Sequence, residues 1–88
     1  MVSKSVNIIN AQGMHMRPAG LLAKAATAHK ECSVTLKVNE KSVNAKAVMQ
    51  IMSACIKCGS TVEIVCEGVD EQAVLDEIAG MFENGFGE

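Results

Sequence analysis

Three stretches of this chain alternate apolar and polar residues, and none of them is apolar throughout. Val34, Leu36 and Val38 alternate with Ser33, Thr35 and Lys37, and Val62, Ile64 and Cys66 alternate with Thr61, Glu63 and Val65. Near the N-terminus Val2, Lys4, Val6 and Ile8 face one way and Ser3, Ser5 and Asn7 the other. A strand covered on both faces reads as a continuous apolar run, whereas a strand covered on one face alternates. The pattern therefore predicts an α+β fold with a mainly antiparallel sheet and its helices on one face.

The helices follow from a different period. Pro18 needs no backbone donor and suits a first helical turn, which starts a helix near Met16. Ala19, Leu22, Ala23 and Ala26 then recur at helical spacing, with Leu21 and Ala25 widening the stripe, to about Ala28. Residues 47–55 form a short helix candidate on which Val48, Ile51, Met52 and Cys55 share a face, Met49 and Ser53 lie beside it, and Cys58-Gly59 ends it. Asp70 is placed to cap a last helix carrying Val74, Leu75, Ile78, Met81 and Phe82, which Gly85 stops. Asn10-Ala11-Gln12-Gly13 is a turn, Gly68 breaks the last strand, and Asn39-Glu40 turns the chain into a short strand over Lys41–Asn44 without an Asn-Gly signal. The predicted order is βαββαβα, with no internal repeat.

Eighty-eight residues suit one domain, residues 1–88, with a single core. Phe82 and Phe86 are the only aromatic residues, so that core must be built from Val, Ile, Leu, Met and Ala. A formal charge of −2 and a pI near 5.6 argue against nucleic acid as a partner. No segment approaches the roughly 20 apolar residues that span a bilayer, and the first residues lack a secretory signal, so a cytoplasmic protein without membrane insertion is expected. In that compartment Cys32, Cys55, Cys58 and Cys66 are expected to be reduced thiols, three of them patterning as core or element ends. His29 has no evident partner in the sequence and is expected to face solvent at the end of the first helix.

The segment richest in chemistry is Gly13-Met14-His15-Met16-Arg17-Pro18-Ala19. A helix N-terminus presents unpaired backbone N–H groups and the positive end of the macrodipole, a combination that attracts anions. Pro18 donates nothing, so the useful donors are the amides of Met16 and Arg17. Imidazole has an unperturbed pKa near neutrality, so its neutral form is available as a nucleophile without a separate base. Arg17 carries a permanent charge that can pair with phosphoryl oxygens or with a partner's carboxylate. Local chemistry alone favours a histidine that only caps the helix or sits exposed before it.

The larger pattern is more specific. Gly13-Met14-His15-Met16-Arg17-Pro18-Ala19 resembles the G-[LIM]-H-[AT]-R-P-A signature of HPr-type phosphocarriers of the bacterial phosphoenolpyruvate-dependent phosphotransferase system. Val43-Asn44-Ala45-Lys46-Ala47-Val48-Met49-Gln50-Ile51-Met52-Ser53 resembles their second motif, and Cys58-Gly59, Glu67-Gly68-Val69-Asp70-Glu71 and Gly85-Phe86-Gly87-Glu88 are also similar to the family. The likeness runs essentially from end to end.

This resemblance implies an open-faced β-sandwich of four antiparallel strands covered on one face by three helices. It implies that His15 accepts a phosphoryl group on Nδ1 from phosphorylated enzyme I and passes it to enzyme IIA domains, in sugar uptake or related regulation. The protein would then be a stoichiometric relay with a phosphohistidine intermediate, not a turnover enzyme, and would need no cofactor. The family's docking surface joins the first and second helices, which here comprises Met16, Arg17, Gly20, Leu21, Lys24, Val48, Met49, Met52 and Ser53; a monomer is expected. By its helical spacing Met52 is as readily core as docking surface.

Two departures stand out. Ala47 occupies the position where Gram-positive-type members carry a regulatory serine, so that serine is absent. Met16 replaces a small or hydroxyl residue, and Gly20 stands where larger residues are common, which enlarges one contact and weakens helix propensity at another. The Gly-Met-His and Gly-Phe segments are also similar to NPr, the carrier of the nitrogen-related branch.

The rival reading is a small metal-binding module built on Cys55-Ile56-Lys57-Cys58 and Met14-His15-Met16. One Cys-x-x-Cys supplies two thiolates where a structural zinc site wants four ligands, so no metal is expected. Thioredoxin-like chemistry is disfavoured as well, because that motif opens a helix and this pair closes one.

Overall fold

In the computed structural model, which describes residues 1–11 and 13–87, the elements run β1 (Val2–Asn7), α1 (Met16–Ala28), β2 (Cys32–Val38), β3 (Lys41–Asn44), α2 (Val48–Ser53), β4 (Thr61–Gly68) and α3 (Glu71–Glu83), closed by a 3₁₀ turn over Gly85–Gly87. The four strands form one sheet in the order β1-β4-β2-β3, and every neighbouring pair is antiparallel. Both the element order and the one-sided cover agree with the alternation in the sequence.

The register explains the alternation. Leu36 of β2 lies opposite Ile64 of β4, and Val34 opposite Cys66, so the apolar faces of the two central strands coincide. All four side chains are buried, as are Leu22 and Ala26 of α1, Ile51 of α2 and Val74, Ile78 and Phe82 of α3, and together they form one cluster between sheet and helices. Each fully buried aliphatic side chain contributes about 2 kcal/mol of transfer free energy. Phe86 packs edge-on against Phe82 with ring centroids 4.9 Å apart, so the two aromatic residues close one end of an otherwise aliphatic core.

Turn chemistry closes the elements. Asn39 and Glu40 both take positive φ, 49° and 69°, giving the β2–β3 hairpin the two-residue turn that matches strand twist even without glycine. At the end of β4, Gly68 has φ 137°, and a Cβ there would stand 2.3 Å from the carbonyl oxygen of Glu31, so only glycine lets β4 pass the start of β2.

Five local expectations need correction. The second helix stops at Ser53, because Cys55 takes a left-handed φ of 53° that ends the helix before Cys58-Gly59 is reached. As a result Cys55 is exposed and does not share the buried face of Ile51. Leu21, expected to widen the apolar stripe of α1, is 40% exposed. Lys4, on the inward side of the edge strand β1, is exposed and reaches Glu83 of α3 at 3.0 Å. Asp70 does occupy the N-cap of α3, but its φ of 57° lies outside the extended region a capping side chain needs, and its carboxylate makes no cap bond. The neighbouring Glu71 takes over there: it accepts from the Gly68 N–H at 3.4 Å and pairs with the N-terminal ammonium at 2.6 Å, which holds its carboxyl below and the amine above their usual ranges.

Candidate functional site

The candidate site is the loop between β1 and α1, and it is braced from three sides. Ile8 and Ser60 pair through their backbones, with the Ile8 N–H donating to the Ser60 carbonyl at 2.9 Å and the Gly59 N–H to the Ile8 carbonyl at 2.8 Å. Farther along, the Met14 N–H donates to the Ile56 carbonyl at 2.9 Å. The buried Asn10 side chain donates from Nδ2 to the Gly85 carbonyl at 2.7 Å, tying the loop to the C-terminal turn beside Phe86. The expected turn at residues 10–13 is closed by the Gly13 N–H to the Asn10 carbonyl at 2.9 Å; Gln12, which that expectation included, lies outside the described residues.

Gly13 is needed for this seating. Its φ is 68°, and a Cβ would fall 2.4 Å from the Ile56 carbonyl oxygen and 2.9 Å from the Lys57 Cα. Backbone therefore rests directly on backbone beneath the residue pair that follows. Met14 is 4% exposed and Pro18 is buried, so the three residues between them are held outward by two anchors sunk in the core.

Those three residues are His15, Met16 and Arg17. His15 is the N-cap residue of α1, half-buried, with extended backbone (φ −80°, ψ −171°), and its carbonyl accepts the first helical bond from the Ala19 N–H at 3.0 Å. The amides of Met16 and Arg17 precede that first bond and so lie at the positive mouth of the helix. No acidic residue stands in the first turn. Arg17 is exposed and Met16 is 67% exposed. The arrangement offers an imidazole, two outward amide donors and a guanidinium to an incoming anion, with nothing anionic in the turn to repel it.

α1 and α2 pack against each other, which brings the rest of the predicted surface together. On α1, Leu21 and Lys24 are exposed and Gly20 is half-buried; on α2, Met49 is 76% exposed, Ser53 is exposed, and Val48 and Met52 are half-buried against the core. Met52 thus divides itself between core and surface. Ala47, half-buried, is the N-cap residue of α2, where its methyl group has no oxygen with which to cap.

Three residues that brace the candidate site escaped sequence reasoning. Asn10 anchors the loop to a residue 75 positions away, and Ile56 and Lys57 form the floor under Gly13; only the juxtaposition in the fold shows either. His29 is not without a partner, as its sequence surroundings suggested: Nε2 lies 3.0 Å from Oε1 of Glu77 on α3, and its carbonyl accepts from Lys46 Nζ at 3.0 Å. The metal reading gains nothing from the geometry. Met14 is buried, and among the described residues no three His, Cys, Asp or Glu side chains gather as a ligand set. Cys32 and Cys66 are buried neighbours, and burial pushes the Cys66 thiol up to about 11.

Comparison with known proteins places this geometry. Residues 2–84 match the family described as the PTS HPr component phosphorylation site. The phosphocarrier protein HPr of Treponema pallidum (strain Nichols) is 41% identical over 88 residues, covering all of this chain and 99% of that protein. Among solved structures, HPr from Thermoanaerobacter tengcongensis superposes with a TM-score of 0.94 at 33% identity, covering 100% of this chain and 98% of that one. A structure of an HPr dimer from the same organism gives a TM-score of 0.78 at 33% identity, with full coverage of both chains. With its whole length matched, its sheet order reproduced and its histidine held out at the mouth of α1, this chain belongs to the HPr family, the phosphocarriers of the phosphotransferase system.

Proposed function

We propose that His15 is the phosphoryl acceptor, taking the group on Nδ1 from phosphorylated enzyme I and handing it to enzyme IIA domains. The observation that carries this reading is the placement of His15 between buried Met14 and buried Pro18, at the N-cap of α1 directly before the amides of Met16 and Arg17. A new P–N bond forms at Nδ1 as the bond to the donor breaks, and the phosphoryl oxygens, which carry the charge throughout, face the Met16 and Arg17 amides and the Arg17 guanidinium. The group is displaced in the same way when an enzyme IIA nucleophile attacks. His15 and Arg17 therefore act on the phosphoryl group, and no cofactor enters.

The docking surface is the joined face of α1 and α2: Met16, Arg17, Gly20, Leu21, Lys24, Val48, Met49, Met52 and Ser53. Its flexible methionines can repack against donors and acceptors of different shape. The chain works as one domain over residues 1–88, as a cytoplasmic monomer and a stoichiometric relay. No helix of the described residues is long and apolar enough to cross a membrane. At Ala47 the chain escapes serine phosphorylation: treatment with HPr kinase and ATP leaves this position unmodified, and a phosphate mapped to the loop, for example on Ser53, contradicts that.

The test is incubation of the purified chain with phosphoenolpyruvate and enzyme I, followed by mapping of the acid-labile phosphate. The expected result is one phosphate on His15; label elsewhere, or none, overturns the assignment. Comparing enzyme I of the sugar system with its nitrogen-related counterpart assigns the branch by the faster transfer.

A further inference from the structure

The Cys55-Ile56-Lys57-Cys58 segment is the one sequence motif that phosphoryl transfer does not absorb, and it forms the floor of the His15 loop. Both thiols are free and exposed, whereas Cys32 and Cys66 are buried. The chain turns at the first cysteine, where φ is 53°, and again just past the second, where the Ser60 N–H donates to the Lys57 carbonyl at 3.0 Å and Gly59 takes φ 88°. Two intervening residues make ring closure between the sulfurs entropically cheap, but Ile56 and Lys57 lie in neither a turn nor a bend, so closure must bend the backbone between the two cysteines.

We propose that Cys55 and Cys58 are a dithiol modification site that closes to an intramolecular disulfide by exchange with a small-molecule disulfide, and that closure acts on the His15 loop. In the first step one thiolate of the pair attacks a sulfur of the small disulfide, forming a mixed disulfide and expelling one small thiolate. In the second the other thiolate attacks the protein sulfur and expels the other. Cys55 and Cys58 are oxidised by two electrons, the small disulfide is reduced to two thiols, and the two protons lost by the cysteines end on those thiols.

The coupling is steric and direct. The Ile56 peptide lies inside the ring that would close, and its carbonyl holds the Met14 N–H at 2.9 Å. The same carbonyl lies 2.4 Å from the point where a Cβ on Gly13 would stand, and the Cys58 nitrogen lies 3.3 Å from it, so the loop has no slack to absorb a shift in this segment. Closing the disulfide fixes the sulfurs and their Cβ atoms to a narrow geometry, and the peptide between them must follow. The consequence at His15 rests on its role as phosphoryl acceptor; the disulfide itself does not.

The experiment equilibrates the purified full-length chain in glutathione buffers from reduced to oxidised, blocks remaining thiols, and digests with trypsin. Cleavage after Lys57 separates the two cysteines, so a closed ring leaves residues 47–57 joined to residues 58–88, released by reductant. The joined pair is expected at low protein concentration, and it is expected to disappear in Cys55→Ser and in Cys58→Ser. Persistence of the join in Cys58→Ser would reveal a link to Cys66. That result, glutathione adducts alone, or dimers alone would each overturn the site. In the oxidised chain the Met14 amide resonance is expected to shift and its exchange to quicken, and an unmoved amide overturns the coupling. Phosphoryl transfer to the oxidised chain is expected to slow by about fivefold, the worth of one net hydrogen bond lost from the brace, with no response in the Cys55→Ser/Cys58→Ser double variant. Equal rates in both redox forms overturn the regulation, while absence of transfer in both overturns the role of His15 and leaves the disulfide result standing.

Discussion

The two ends of α1 each carry a half-buried histidine, and the contrast between them bears on which one suits the proposed phosphoryl transfer. His15 precedes the helix at its positive end, beside two outward amides and an exposed arginine. His29 follows the helix at its negative end, with its ring 3.0 Å from the Glu77 carboxylate and its carbonyl bound by Lys46. Residue type, helix and degree of exposure are shared, but the surrounding groups are opposite. A carboxylate beside His29 repels an incoming phosphoryl group and ties the ring into a contact between α1 and α3. Around His15 the fold supplies donors and holds the loop with braces that leave the ring at the helix mouth.

The largest effect that can test this contrast is removal of each ring in turn. His15→Ala is expected to abolish labelling from phosphoenolpyruvate and enzyme I while leaving the circular dichroism spectrum near that of the parent chain, because a helix-end residue contributes little to packing. His29→Ala is expected to label normally. Equal loss in both variants would mean that the environment, as opposed to the residue, has been misjudged.

Next in size is the seat of the loop. Gly13→Ala places a Cβ 2.4 Å from the Ile56 carbonyl at a φ of 68°, and the strain is expected to cost about 2 kcal/mol, a fall in Tm of about 10 °C. Transfer to His15 is expected to fall as well, since relief of the clash must move one of the two backbones. Thermal melting and the labelling rate check the two consequences separately. Gly20→Ala, at a helix position where a Cβ meets nothing within 4 Å, is the control and is expected to stabilise slightly.

Arg17→Ala removes the guanidinium from the first turn of the helix. A charge-assisted hydrogen bond to the transferring group corresponds to about 2 kcal/mol, so a loss of roughly thirtyfold in transfer rate is expected, with Arg17→Lys recovering part of it. Substrate dependence of the rate separates the two actions of this residue. A fall confined to apparent affinity for enzyme I points to pairing with the partner's carboxylates, and a fall in the saturated rate points to the phosphoryl group.

Much of this contrast was legible in the sequence, and the reasons differ by region. Period two in the strands and period three to four in α1 reflect which face meets the core, so the sheet, the helix order and the bounds of α1 at Met16 and Ala28 could be read directly. His15 could be placed because Pro18 marks the first turn and the motif around it is specific. The end of α2 could not, because the residue that stops it is a cysteine in a left-handed conformation, an assignment composition does not suggest. Asp70 misled for the converse reason: its position was right, but its own backbone turned the side chain away from capping. The partners of Asn10 and His29 lie 75 and 48 residues away, and pairings at such separation exist only once the sheet has brought α3 and the C-terminal turn beside α1.

The smallest effect is the most discriminating for the His29 end. Glu77 is exposed and His29 is half-buried at the surface, and a pair of this kind contributes at most about 0.5 kcal/mol after screening and side-chain entropy are counted. Glu77→Ala is therefore expected to lower Tm by no more than about 3 °C, and the decrement should shrink with added salt. Labelling at His15 should not change, because α1 is held by Leu22, Ala23 and Ala26 in the core and not by this contact at its far end. If Glu77→Ala instead exposed His29 to phosphorylation by enzyme I, the carboxylate would be what keeps the second histidine out of the reaction. A silent His29 in the same variant would assign its inertness to the missing helix N-terminus, which no single substitution at Glu77 can supply.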